Sequence, residues 1–536
     1  MKKFLLILII IIAIFLRIWH LDLNPPSLYW DEASLGYNAY SILLSGADEH
    51  GEKLPLDRFI AFGDYKPPGY IYSTVFSMAV FGPNEFAVRF PSAMGGILMV
   101  ILTYFLTKKL LTSVKVSLLA SFLLAVSPWS IHLSRAAFEA NLAAFFNLAA
   151  VFFFLKAKKK ASFFILSVIF FVLSFYTFNA NRIIAPVFLI SLIFIHFKFI
   201  RQNLVWYIAG FILAGFFILP STGFLRSRES RLRFQEVSIF NSIVPVEIAN
   251  ARISNDGNTA IARLIHNRRL LFLADYLKHL SDNFSGRFLF THGDGNPRLS
   301  VQGMGQLYFW ELPFAVAGLF FLILYKRSII PLIFAWMAIS VIPAGAARET
   351  PHALRIVSIL PSYQIITAFG LYRSALWLKD IFSRKNYIAA IFVSGIIFVF
   401  NFYYYIHLYH IHFPSDWAGQ WQYGYKQMVN YVLNIKSRYD RIFITSTLGR
   451  PYIFFAFYKP YLPSEFQKEK KVSRDWFGFY EVEALGKISF DTSNLYNASG
   501  RILYVGSENK PPVGFRFLAT INSSSREPVF YIWEKT

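Results

Sequence analysis

Eleven apolar runs, each close to the length of a membrane-spanning helix, occupy most of the first 407 residues of this chain. They fall near 4–20, 88–107, 115–133, 139–155, 161–177, 183–200, 204–220, 309–325, 328–346, 356–376 and 387–407. About 20 mainly apolar residues cross the hydrocarbon of a bilayer. The runs predict a mainly α, polytopic membrane protein with about 11–13 transmembrane helices, the upper end allowing for the apolar stretch 69–82. Composition agrees: 16% of the residues are charged and 55% hydrophobic, against about 25% charged in a soluble domain.

The formal charge of +22 is distributed in a way that excludes nucleic acid as its cause. Much of the basic excess sits between apolar runs, at Lys2-Lys3, Lys108-Lys109, Lys156 to Lys160, Lys326-Arg327 and Arg384-Lys385. Such clusters mark cytoplasmic loops. With the N-terminus inside, alternation of the eleven spans puts every one of them in the cytoplasm. The first run follows Lys2-Lys3 and lacks a small-x-small cleavage site, so it reads as an uncleaved anchor. The expected location is the plasma membrane, multi-pass, with the lipid bilayer itself as a partner. The absence of cysteine excludes disulfides, thiolate metal sites and cysteine nucleophiles.

The same threading leaves 21–87, 221–308, 347–355 and everything after about Leu408 outside. Residues 1–407 then form a transmembrane catalytic domain, and 408–536 a small extracytoplasmic α/β domain. In that tail, 423–434 has helical spacing, and 441–445, 501–505 and 528–533 read as strands. In the first outer loop, 33–45 and 67–82 have the character of helices lying along the interface.

Chemistry-bearing residues concentrate in that loop. Trp30-Asp31-Glu32-Ala33 follows the first span, and Phe62-Gly63-Asp64-Tyr65-Lys66-Pro67-Pro68 comes some thirty residues later. Carboxylates and a lysine at a membrane surface suit deprotonation of an acceptor hydroxyl and neutralisation of a departing phosphate. Asp31 is the strongest candidate, whereas Asp48 and Glu49 read as turn residues. Arg135 reads equally as a partner of Glu139 within a helix and as a phosphate ligand. Arg182 reads as structural, and Arg89 as a residue that snorkels to the interface. In Arg348-Glu349-Thr350-Pro351-His352-Ala353-Leu354-Arg355, guanidinium groups at a helix start favour an anion, with His352 and Arg355 as candidate phosphate ligands. His292 and Asp294 read as a polar turn rather than two ligands of a metal, and no Walker phosphate loop follows the nearby glycines. Trp417, Trp421 and Tyr423 read as interface anchors.

Three strings carry a family resemblance: Trp30-Asp31-Glu32-Ala33, Asp64-Tyr65-Lys66-Pro67-Pro68 and Glu85-Phe86-Ala87-Val88-Arg89-Phe90-Pro91-Ser92-Ala93. Together with 127–135 and 351–361 they resemble prokaryotic members of glycosyltransferase family 39. That group includes dolichyl-phosphate-mannose protein mannosyltransferases and the aminoarabinose transferase that modifies lipid A. The resemblance covers about the first 400 residues. It implies a GT-C fold and a transfer of sugar from a polyprenyl-phosphate donor to a protein, lipid or glycan hydroxyl; in-line attack by that hydroxyl would invert the anomeric centre. It implies Asp31 as base with Glu32 beside it, Asp64 and Lys66 lining the acceptor and donor-phosphate site, and Arg135 near the phosphate. No cofactor is required, and a divalent metal is left open. The alternatives are a transporter or flippase of lipid-linked sugars, a glycan ligase or polymerase of another fold, and a non-catalytic scaffold.

Overall fold

The structure, a computed structural model, describes residues 2–62, 64–474 and 480–535, with Asp64, Leu232 and Arg233 described by backbone alone. Each of the eleven apolar runs contains helix, although 115–133, 183–200 and 356–376 are interrupted. Among the described residues, Glu85–Leu111, Glu139–Ala157, Arg327–Gly345 and Arg384–Asp416 are long and apolar enough to cross a membrane. Val114–Val126 and Pro128–Ser134 make a fifth candidate span, bent by 54°. The bend falls where Pro128 opens the second helix, because proline has no N–H to continue the ladder of the first. Phe163–Phe175, Asn181–Ile195, Leu204–Ile218 and Glu311–Tyr325 are shorter apolar helices. The chain is thus a multi-pass membrane protein, with several helices shorter than the apolar runs that predict them.

Two compact units are distinguishable. The first comprises Met1–Leu16, Gly95–Leu133 and Glu139–Tyr405, and is helical. Its tightest helix pair is Glu311–Tyr325 against Ser362–Ile381, where glycines let two backbones meet. A Cβ on Gly318 would lie 2.1 Å from the carbonyl oxygen of Ile366, and one on Gly370 1.9 Å from that of Phe314. Lipid is as apolar as the side chains it would replace, so close van der Waals packing of this kind is what holds such helices together.

The second unit comprises Arg17–Met94, Ser134–Phe138 and Ile406–Thr536. Helix Trp30–Ser45 carries Asp31 and Glu32 in its first turn, where negative charge suits the helix dipole, and stops at Gly46 in the left-handed conformation. The strands Phe59–Ala61 and Asp64–Lys66 pair antiparallel, Phe59 opposite Lys66. Pro67 and Pro68 then start helix Pro68–Phe81, with proline at the position where the missing N–H costs nothing. Both helices predicted for the first loop are present. So are the predicted tail helix, at Tyr425–Ile435, and the three predicted strands.

Those three strands belong to a seven-stranded sheet in the order 470–474, 480–485, 488–489, 441–444, 502–506, 528–535, 516–522. Strand Arg441–Ile444 pairs parallel with both its neighbours, and the remaining pairs are antiparallel. Helix Pro451–Tyr458 leaves the sheet to pack on helix Trp30–Ser45. The Phe457 ring fills the space beside Gly36, where a Cβ would sit 2.6 Å from it.

Gly318→Ala and Gly370→Ala are each expected to lower the melting temperature, by a cost of about 1–3 kcal/mol for overpacking. Gly395, which has open space for 4 Å around the place its Cβ would take, is the control. Thermal unfolding in one detergent that gave equal values for all three variants would contradict the close helix contact.

Candidate functional site

Glu32 and Arg89 form the foundation of the site in the second unit, and both are fully buried. The guanidinium meets the carboxylate in a fork, Nε to Oε1 at 3.0 Å and Nη2 to Oε2 at 3.1 Å. The remaining N–H groups donate to the carbonyls of Leu21 (3.0 Å), Pro25 (2.8 Å) and Ser27. All five donors of the arginine are therefore used. Glu32 also accepts from the backbone N–H groups of Tyr29 (3.3 Å) and Ala137 (2.8 Å). Arg89 does not snorkel to the interface as the sequence suggests; a buried partner 57 residues away in the chain holds it inside.

Arg135 lies in the turn between helices Pro128–Ser134 and Glu139–Ala157, outside both. It is fully buried, donates from Nη2 to the carbonyls of His20 and Asn24, both at 2.9 Å, and lies over the Tyr409 ring. Segment 20–27 is thereby fixed by two buried guanidinium groups at once. Asn24 adds a bond from its amide to the Tyr409 carbonyl at 2.9 Å. Trp421 is also fully buried, edge-on to Tyr29 and within 5.9 Å of Arg89. It is a core residue, not the interface anchor that its place beside the last span suggests.

Asp31 differs from its neighbour. Its carboxylate is 23% exposed and lies 3.2 Å from Nζ of Lys66, which is 14% exposed. The hairpin and the two prolines fix the register that brings Lys66 there. Asp64 lies two residues earlier on the same strand, and its side chain is outside the described structure. Above the pair, the tail contributes backbone and side chain. Gln422 accepts from the N–H of Trp30 at 2.7 Å and donates to the carbonyl of Leu448 at 3.0 Å, while Arg450 stacks on Phe62.

Asp48 is the turn residue expected, accepting from the N–H groups of His50 and Glu52. Glu49 is not. It is 1% exposed, takes a hydrogen bond from Asn38 at 3.1 Å, and faces Tyr37, Tyr452, His50 and Lys470. Burial pushes its carboxyl up to about 7, although Lys470 opposes the shift. Burial and Lys470 together hold His50 down at about 3.

A further cluster lies within the first unit. Asp294, 4% exposed, accepts from the N–H of Ala353 at 2.7 Å and of Asn296 at 2.8 Å. Asn283 accepts from the N–H of His352 at 3.0 Å, and the Ala353 carbonyl takes a bond from the Trp129 indole at 3.2 Å. These contacts shape the turn that carries Arg355. Burial, then Arg355, push His352 down to about 3. Its imidazole is neutral near pH 7 and meets an anion only as a hydrogen-bond donor. Burial likewise raises Asp294 to about 6. His292 bonds to the Thr291 hydroxyl at 2.8 Å. Among the described residues no three His, Asp or Glu side chains group as metal ligands.

Residues 7–230 match the family model of dolichyl-phosphate-mannose-protein mannosyltransferases. Among solved structures, ArnT from Cupriavidus metallidurans in the apo state is similar over 99% of this chain and 97% of its own, at 11% identity and a TM-score of 0.52. The fold is GT-C. The same GT-C neighbour bound to undecaprenyl phosphate gives a TM-score of 0.51 at 10% identity, covering 99% of this chain and 98% of that one. The apo oligosaccharyltransferase of Archaeoglobus fulgidus is similar over 85% of this chain at 13% identity and a TM-score of 0.52. The chain spans 63% of that transferase's length. No curated protein matches the chain in sequence.

Arg89→Ala is expected to cost about 3–5 kcal/mol, the usual cost of stranding one partner of a buried pair. Unfolding in denaturant checks it, and a loss under about 1 kcal/mol would refute the foundation role. Glu49→Gln tests the buried carboxyl. A carboxyl raised from its ordinary 4.5 to about 7 favours folding when protonated. Stability should be greatest below pH 4.5, fall as pH rises to about 7, and stay level above it. The glutamine variant should gain up to about 3 kcal/mol at pH 8 and lose that slope, as read from melting temperature against pH.

Proposed function

We propose that the chain is a membrane glycosyltransferase that moves a sugar from a polyprenyl-phosphate donor to an acceptor hydroxyl on a protein, lipid or glycan. The observation that carries the proposal is the Asp31–Lys66 pair, a partly exposed carboxylate and ammonium held 3.2 Å apart beside the immobile Glu32–Arg89 fork. The GT-C fold supports it, as do the lipid phosphates bound in two structures of that fold, undecaprenyl phosphate in ArnT and a dolichol-phosphate in AglB from Archaeoglobus fulgidus.

In this reading Asp31 is the general base. It takes the proton of the acceptor hydroxyl as that oxygen bonds to the anomeric carbon, and the bond from that carbon to the phosphate oxygen breaks. Displacement from the opposite face inverts the centre. The lipid phosphate leaves with the bonding electrons, and cations stabilise its charge. Lys66 has two tasks in sequence. Before the donor binds it pairs with Asp31; the arriving phosphate then competes for its ammonium and frees the Asp31 carboxylate to meet the acceptor hydroxyl. Glu32 is a positioning residue, because both of its oxygens already accept two bonds each. Arg135 is assigned to a fixed positive charge behind segment 20–27 and Asp64 to the acceptor side; in the first unit, Arg355 and neutral His352 are by themselves candidate ligands of a phosphate. In this scheme side-chain cations such as Lys66 offset the charge of the leaving phosphate, so a divalent metal is no required part of it. The reaction is assigned to the extracytoplasmic face, with the N-terminus cytoplasmic and 408–536 on the side of the reaction.

Asp31→Asn is expected to lower turnover by about 10²–10⁴, the usual contribution of a general base. Lys66→Gln is expected to raise the KM for donor more than it lowers kcat. The measurement is mass-spectrometric detection of lipid phosphate released from a panel of polyprenyl-phosphate sugars by protein in nanodiscs. Full release by the asparagine variant would overturn the base assignment. Transbilayer movement of the intact donor without release would favour the transporter reading instead.

A further inference from the structure

The segment between the apolar helices Leu204–Ile218 and Glu311–Tyr325 reads in the sequence as an outer loop. Its structure does not suit water. Helix Arg268–Asp282 has no buried residue, yet it carries two apolar stripes. One stripe meets protein. Tyr276 donates to the Ile342 carbonyl at 3.2 Å, His279 bonds through Nδ1 to the Ala347 carbonyl at 2.8 Å, and Leu280 lies beside Gly345. These contacts fasten the helix to the C-terminal end of the span Arg327–Gly345, and so to the level of one membrane boundary.

The second stripe, Leu270, Leu273 and Leu277, follows a spacing of three and four residues and is 50–54% exposed. The short helix before it, Ala260–Ile265, adds Ile261, Leu264 and Ile265 at 60–71% exposure. Six large aliphatic side chains left open to water over so short a stretch would be costly, at about 25 cal/mol per Å² of apolar surface. The charges beside them are mainly positive. Arg263, Arg268 and Arg269 are exposed, and the Lys278 ammonium is matched by Asp282 at 3.5 Å.

We propose that residues 260–282 form an interfacial membrane-binding element whose leucine stripe enters the boundary between headgroups and acyl chains while its three arginines bind acidic phospholipid headgroups. Apolar residues on one side and cations along its edge are the composition of helices that lie in that plane. Each basic residue near an anionic surface contributes about 1 kcal/mol. The inference rests on the membrane-spanning architecture and is independent of the transferase chemistry proposed above.

The chain has no cysteine, so a single introduced thiol reports one place. Leu273→Cys, labelled with a polarity-sensitive fluorophore, is compared in nanodiscs with Lys510→Cys, whose parent side chain is 83% exposed in the tail. In bilayers rich in phosphatidylglycerol the Leu273 label is expected to emit to the blue of the reference. Lipids brominated near the headgroup should quench it at least about twofold more strongly than the reference. Replacing Arg263, Arg268 and Arg269 by Gln should remove the difference between phosphatidylglycerol and phosphatidylcholine bilayers. Equal access of aqueous iodide to both labels would overturn the proposal. So would label-to-label energy transfer that depends on protein concentration, since a second copy would then cover the stripe. A saturable response to trace polyprenyl phosphate in phosphatidylcholine would overturn the headgroup assignment in favour of a specific carrier site.

Discussion

The buried fork between Glu32 and Arg89 is the constraint on which the second unit depends. Two opposite charges are taken out of water, which is costly unless every polar atom finds a partner. Here each does, and the partners come from separate stretches of chain: the carbonyls of 21–27, the N–H of Tyr29 at a helix entrance, and the N–H of Ala137. A cation with five directed donors is a better organiser of irregular backbone than an apolar residue of the same size, because it specifies where each carbonyl must lie. Arg135 repeats the device on the carbonyls of His20 and Asn24. Segment 20–27 has no regular ladder of its own to satisfy its backbone; the two arginines satisfy it instead.

Legibility in the sequence follows the range of the interaction concerned. Spanning helices are written locally, as a run of apolar side chains: each of the eleven runs contains helix, although 115–133, 183–200 and 356–376 are broken, and among the described residues four or five are long enough to span. The tail strands legible in the sequence, 441–445, 501–505 and 528–533, contain buried β-branched and aromatic residues at the centre of the sheet. Of those not legible there, Lys470–Arg474 and Arg516–Asn522 are edge strands with exposed polar residues, while 480–485 and 488–489 lie inside the sheet but are short or half-exposed, so their pairing is set by their neighbours and not by their own pattern. Asp31 stands out because it follows Trp30 in the loop after the first membrane helix. Arg89 misleads for the converse reason: an arginine near a helix end has a common local explanation, and its actual partner is remote in sequence. Glu49 hides in the same way, in a Gly-Ala-Asp-Glu-His-Gly string that reads as a turn until Tyr452 and Lys470 arrive from the tail to bury it.

The contrast between Asp31 and Glu32 also explains why two adjacent carboxylates need not compete. Consecutive residues of a helix are turned about 100° apart, so the first turn of Trp30–Ser45 sends one acid into the core and the other toward the hairpin. The buried one is saturated with donors and held still. Its neighbour inherits that rigidity through a single peptide unit, yet keeps an oxygen within reach of solvent and one exchangeable cationic partner. A general base must be held accurately and must also be able to accept a proton. Those demands conflict within one residue, since the bonds that fix a carboxylate also occupy its lone pairs. Dividing them between two successive residues resolves the conflict. It also makes Lys66, the cation paired with Asp31, the residue on which an arriving phosphate would first act.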